Sequence, residues 1–134
     1  MLQWEAAMET QVSTVDEQHR ELVRQVNGLV EAMKAGKGRQ IIGDTLVFLG
    51  QYAVEHFGTE EALMRKHGYP GYDKHKGIHE TFKADFGKLA KELDGGSALT
   101  VTIDVQRRVL DWLKSHILQV DKEMGSFLKE KGVT

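Results

Sequence analysis

Seven side chains in this sequence could do chemistry together: His19, His56, Glu60, His75, His79, His116 and Asp121. Each falls on the apolar stripe of a helical repeat, where a packed core is expected. No lysine or arginine shares those positions. Two ionised carboxylates buried without cations would be severely penalised. Either they are protonated or something positive lies between them. The spacing points to metal. Residues four apart on a helix share a face, so His56 with Glu60, and His75 with His79, each aim a pair of ligands at one axis. His19 adds one more. His116 and Asp121 are five apart, about 140° around an ideal helix. A longer bridging carboxylate, or a local π-type loosening of that helix, would close the arc. An unbroken i→i−4 ladder from Trp112 to Met124 would exclude the loosening.

One metal does not use seven ligands, but two do. If Glu60 and Asp121 each bridge, five imidazole nitrogens and four carboxylate oxygens make nine protein donor atoms. A solvent-derived oxo or hydroxo bridge raises the metal bonds to about eleven, against about twelve for two octahedral ions. One position stays open, on the metal with fewer histidines. Two divalent ions, two carboxylates and one hydroxide nearly cancel, so a neutral small molecule could enter a dry site. Imidazole and carboxylate suit iron, zinc or manganese alike.

Four segments must carry these groups. The turn signals Gly36-Lys37-Gly38, Gly68-Tyr69-Pro70-Gly71 and Gly95-Gly96-Ser97 divide the chain. Helices are expected over about residues 16–35, 39–66, 72–94 and 101–129. Short connections make neighbours antiparallel. The expected fold is therefore all-α, an antiparallel up-down-up-down four-helix bundle. Residues 1–14 form an N-terminal arm that Trp4 and Val12 pack onto it. Asp16 is expected as a cap or first-turn acid. Residues 1–134 form one domain. Glycines 43, 50, 58, 77 and 87 lie inside helical segments, where only close packing would explain them.

Composition agrees. The 134 residues are 40% hydrophobic and 28% charged, with one proline and 7% aromatics. A net charge of −2 favours neither nucleic acid nor an anionic membrane as a partner. The absence of cysteine removes disulfides, thiolate metal sites, iron–sulfur clusters and cysteine nucleophiles. There is no basic-then-apolar leader and no run of about 18 apolar residues. The expected location is the cytoplasm.

The chain resembles the hemerythrins, and most of all the single-domain bacterial ones. The resemblance rests on Trp4, Asp16-Glu17-Gln18-His19, His56-Phe57-x-x-Glu60-Glu61-x-Leu63-Met64, Tyr69-Pro70, His75-x-x-x-His79-x-x-Phe82 and Trp112-Leu113-x-x-His116-Ile117-x-x-x-Asp121. It covers essentially the whole chain. Each pair alone is weak, and the set is strong. It implies two non-haem irons joined by an oxo or hydroxo bridge. His75, His79 and His116 would hold one iron. His19 and His56 would hold the other, which keeps the open position, and Glu60 and Asp121 would bridge. It implies reversible dioxygen binding at the open iron, with two electrons drawn from the iron pair and a proton from the bridging hydroxide. It also implies an apolar dioxygen pocket from Leu22, Phe57, Trp112, Leu113 and Ile117. Small anions are further expected ligands of the oxidised site.

Other candidates read more simply. His67 ends the second segment beside Gly68, where it suits the helix C-terminus. Met33, Met64 and Met124 are core filler. The leading function is oxygen carriage, storage or delivery. The alternative is an oxygen- or redox-sensing domain that signals to a partner. An oxidase or peroxidase ranks lower: di-iron oxygenases commonly use Glu-x-x-His pairs, which this chain lacks.

Overall fold

The computed structural model describes residues 2–37, 39–95 and 103–134. Four helices build it. α1 is Ser13–Lys34, α2 is Arg39–His67 and α3 is Tyr72–Gly95; α4 spans 103–130. A single 3₁₀ turn, Ala6–Met8, precedes them. The described residues contain no strand. α1 packs on α2, α2 on α3, and α4 returns against α1. Between α3 and α4, Phe82 stacks on Trp112 and Arg108 pairs with Glu92 at 3.0 Å. This is an antiparallel four-helix bundle.

Glycine ends the first two helices. Gly36 and Gly68 sit at φ +70° and +68°, a region an L side chain resists. Beyond each, the backbone doubles back: Lys37 N–H bonds Ala32 O at 3.0 Å and Tyr69 N–H bonds Met64 O at 2.9 Å. These 6→1 bonds satisfy carbonyls that a helix end leaves free. The Gly95-Gly96-Ser97 turn and a start at Val101 fall largely outside the described residues, as do Gly38 and the Leu93 side chain.

α1 begins at Ser13, three residues earlier than the stripe suggests, and Val12 is its N-cap. Asp16 is a first-turn acid, as one of the two expectations had it, and is not spent on capping. Its carboxylate accepts from Thr10 N–H at 2.8 Å, Thr10 Oγ1 at 2.7 Å and Gln11 N–H at 3.1 Å. It therefore clamps the arm. Asn27 holds the arm again, exchanging bonds with the Leu2 backbone at 2.7 and 3.1 Å. Met8 and Val12 are buried. Trp4 packs against the core beneath the Arg20 guanidinium. Gly50 faces the Phe86 ring, which an added methyl would strike at 2.8 Å. Close packing does not account for glycines 43, 58, 77 and 87, whose methyl positions are open.

The interior is layered. Val12, Val15, Met64, Met124 and Leu128 form a small apolar cluster at one end. A larger one at the other includes Leu22, Val26, Leu29, Leu49, Phe57, Phe82, Leu89 and Val109. The donors fall where the two clusters meet: His19 between Val15 and Leu22, Glu60 between Phe57 and Met64, and Asp121 between Ile117 and Met124.

Candidate metal centre

Glu60, His75, His79, His116 and Asp121 form one group of buried donors; His19, His56, Glu60 and Asp121 form a second. Within each group the donor atoms lie within 4.8 Å of one another. Donors about 2.1 Å from a shared metal lie about 3 to 4 Å apart. Only the two carboxylates belong to both groups, and each divides its oxygens between them. Glu60 Oε2 lies 3.1 Å from both His19 Nε2 and His56 Nε2, while Oε1 lies 3.1 Å from His79 Nε2 and 3.5 Å from His75 Nε2. Asp121 Oδ2 lies 2.9 Å from His19 Nε2, while Oδ1 lies 3.0 Å from His75 Nε2 and 3.1 Å from His116 Nε2. Every imidazole turns the same nitrogen inward.

Helix α4 makes this possible by widening. His116–Asp121 is π-helical, and Lys122 N–H reaches back five residues to Ile117 O. The i→i−4 ladder is broken there, so residues five apart come onto one face. A second π segment, Gln106–Asp111, lies upstream and has no counterpart in the sequence expectation. Its signal was present. Val105, Val109, Leu113, Ile117 and Asp121 are all buried at a constant spacing of four. On an ideal helix that stripe would wander by about 160°. Two extra residues, about 100° each, bring it back.

The donors fit a cation. Glu60 Oε1, both Asp121 oxygens and Nε2 of His75, His79 and His116 are buried without a hydrogen-bond partner. Such groups are costly unless something satisfies them. Protons are the alternative counter-charge. Burial is the largest influence on the His19 and His75 rings and opposes their charge. The adjacent Asp121 and Glu60 carboxylates outweigh it, pushing them up to about 10 and about 9. Burial likewise opposes charge on Glu60, yet His56, His19 and His75 hold it well below the usual carboxylate range. Asp121 is lowered too, against burial and the Glu60 charge, by His116 and His19.

Two of the imidazoles lie flat against aromatic rings. Phe57 stacks on His79 at 4.0 Å and Trp112 on His116 at 4.4 Å. Beyond them is a cavity of about 20 Å³, lined wholly by apolar side chains. That is room for about one water-sized molecule. Leu22, Phe57, Trp112 and Leu113 line it; Ile117 is buried but does not. Val26, Leu49, Ala53, Phe82, Phe86 and Val109 complete the wall. Sequence reasoning did not assign these six to the cavity: Ala53 and Phe82 lie three residues from a donor and the other four lie seven away, and each reads as ordinary core. His67 is outside both donor groups, in the last turn of α2. No helix among the described residues is long and apolar enough to cross a membrane.

Carboxylates shared between two imidazole sets inside an antiparallel bundle define a class: helical proteins built around a pair of metal ions. A family model described as the hemerythrin HHE cation binding domain matches residues 10–128. The bacteriohemerythrin of Methylococcus capsulatus is 37% identical over 96% of this chain and 97% of its own. That of Pseudomonas aeruginosa PAO1 is 30% identical over 90% and 76%. A solved wild-type hemerythrin superposes with a TM-score of 0.84 at 34% identity, covering 96% of this chain and 98% of that one. The chain belongs to the hemerythrin family. Its cofactor is a non-haem di-iron centre, and its activity is oxygen binding rather than catalysis.

Proposed function

We propose that this protein binds dioxygen reversibly at one iron of the pair, with each metal role carried by a particular residue. His75, His79 and His116 hold one iron, His19 and His56 the other, and Glu60 and Asp121 bridge. The observation that carries this is the division of both carboxylates, one oxygen toward each imidazole set. When bound, the reduced iron pair supplies the electrons that dioxygen binding requires. His19 and His56 offer the fewer protein donors, so a metal they held would be the one with a position left for dioxygen.

The protein's own residues do the rest. Glu60 and Asp121 keep the two metal positions together and offset their charge. Phe57 and Trp112 press against His79 and His116 and fix their planes. The apolar chamber leaves room for only a very small molecule and would exclude the bulk water and protons that hasten irreversible oxidation. Ile117 supports that wall from the core rather than lining it. Small anions of similar size are a second ligand class, for the oxidised site. A reducing, cytoplasmic setting suits a centre that works from its reduced form. Carriage, storage or delivery fits a compact bundle whose donors are all buried.

Metal analysis together with an optical spectrum, taken on reduction and then on exposure to air, tests the reading. About two irons per chain and a band that comes and goes with oxygen are expected. One zinc per chain, or a spectrum indifferent to oxygen, would overturn it.

A further inference from the structure

All five imidazoles turn Nε2 toward the carboxylates, which leaves Nδ1 facing outward. The outward nitrogens are not treated alike. His79 Nδ1 lies 2.9 Å from Glu61 Oε2, and His56 Nδ1 lies 2.8 Å from Gln18 Oε1. Among the described residues, Nδ1 of His19, His75 and His116 has no hydrogen-bond partner. Each outer partner follows or precedes a donor in sequence and reaches to the next helix. Glu61 follows Glu60 on α2 and holds a ring of α3. Gln18 precedes His19 on α1 and holds a ring of α2.

The chemistry of each partner sets the direction of the outer hydrogen bond. A carboxylate only accepts, so His79 donates an Nδ1 proton to Glu61, with Nε2 turned toward Glu60 where a metal would take it. At Gln18 the neighbours decide. The Thr59 hydroxyl donates to Glu55 O at 3.2 Å and accepts from Gln18 Nε2 at 3.3 Å. The amide nitrogen is thereby committed to Thr59, and Oε1 is left to accept from His56 Nδ1. Both rings are thereby oriented with Nε2 toward the shared Glu60 carboxylate.

The two partners differ in charge. A carboxylate on Nδ1–H makes the ring a stronger donor and places a negative charge beside the centre. An amide fixes the ring without that charge. We propose that Glu61 and Gln18 are positioning residues that make the two metal positions electronically unequal. Glu61 enriches the three-imidazole position in electron density and favours its oxidised state; Gln18 leaves the open position neutral at its outer edge. The inference rests on the di-iron reading above.

The isosteric variants Glu61→Gln and Gln18→Glu test it in the iron-loaded chain. Redox titration should move the midpoint upward for Glu61→Gln and downward for Gln18→Glu. Glu61→Ala should weaken iron retention against a chelator by about 10- to 100-fold. Nitrogen NMR of the metal-free chain should place the His79 and His56 protons on Nδ1. Two isosteric variants that load iron fully and keep the wild-type midpoint would overturn the proposal, as would an Nδ1 found without a proton on either ring. Failure of the unaltered chain to take up two irons would instead defeat the di-iron reading, and the tautomer measurement would still decide the orienting role.

Discussion

The donor layer and the apolar chamber above it are neighbours built on opposite rules. In the donor layer, seven titratable side chains face one another, and several of their polar atoms have no protein partner. In the chamber, every lining side chain is apolar and the open volume is about 20 Å³. Phe57 and Trp112 belong to both: one face of each ring meets an imidazole and the residue also lines the cavity. The difference separates two tasks. The donor layer determines whether metal is held. On the proposed reading, the chamber governs what reaches it. A change in either should therefore leave the other's measurement intact.

The largest effect should come from the shared carboxylates. Asp121→Ala removes one ligand oxygen from each metal position and opens a gap on the widened turn of α4. Iron content should fall from about two per chain toward none, since structural partners and ligands contribute most of a site's affinity. The helical content of the metal-free chain should persist, because the apolar clusters on both sides are untouched. Retention of two irons by Asp121→Ala would break the division of tasks and the bridging role with it.

A smaller and different effect should follow in the chamber. Leu113 lines it from α4 and is buried. Leu113→Ala should cost about 2–5 kcal/mol of stability through lost burial and the cavity left behind. Iron should still load at two per chain. Water gains room beside the centre, so the oxygenated form should autoxidise several-fold faster. Optical decay in air at matched iron content checks this. An unchanged decay rate would remove the chamber's protective role and leave its leucine a packing residue.

The donor layer was the more legible half. Its residues stand out because they contradict their positions: a histidine or carboxylate on an apolar stripe is visible in a single line of sequence. The chamber has no such contradiction. Val26, Leu49, Ala53, Phe82, Phe86 and Val109 are apolar residues on apolar stripes, and only the packing of four helices reveals which of them face a void. Ile117 shows the converse, since it flanks His116 in sequence yet does not line the cavity. Gln18 and Glu61 stand in the motifs, but their role was hidden for a third reason. They are polar residues on partly exposed faces, and their partners sit on other helices. The upstream π segment could have been found from the constant four-residue spacing of α4, whereas the clamp from Asp16 to Thr10 needed the arm's path.

The smallest effect distinguishes metal from protons as the counter-charge in the donor layer. Without metal, His19 and His75 are raised to about 10 and about 9 by their carboxylate neighbours, despite burial. In the unfolded chain both return to about 6.5. A group with a raised folded pKa binds more protons folded than unfolded. Its contribution is complete below about 6.5 and is lost as pH rises through the folded value. The metal-free protein should therefore lose thermal stability between pH 7 and pH 10. The iron-loaded protein should show a much flatter profile there, because metal on Nε2 has already displaced those protons. Paired melting curves at pH 7 and pH 10 are the check. Parallel slopes in the two forms would mean that protons never substituted for metal, and that the layer tolerates its buried carboxylates by some other means.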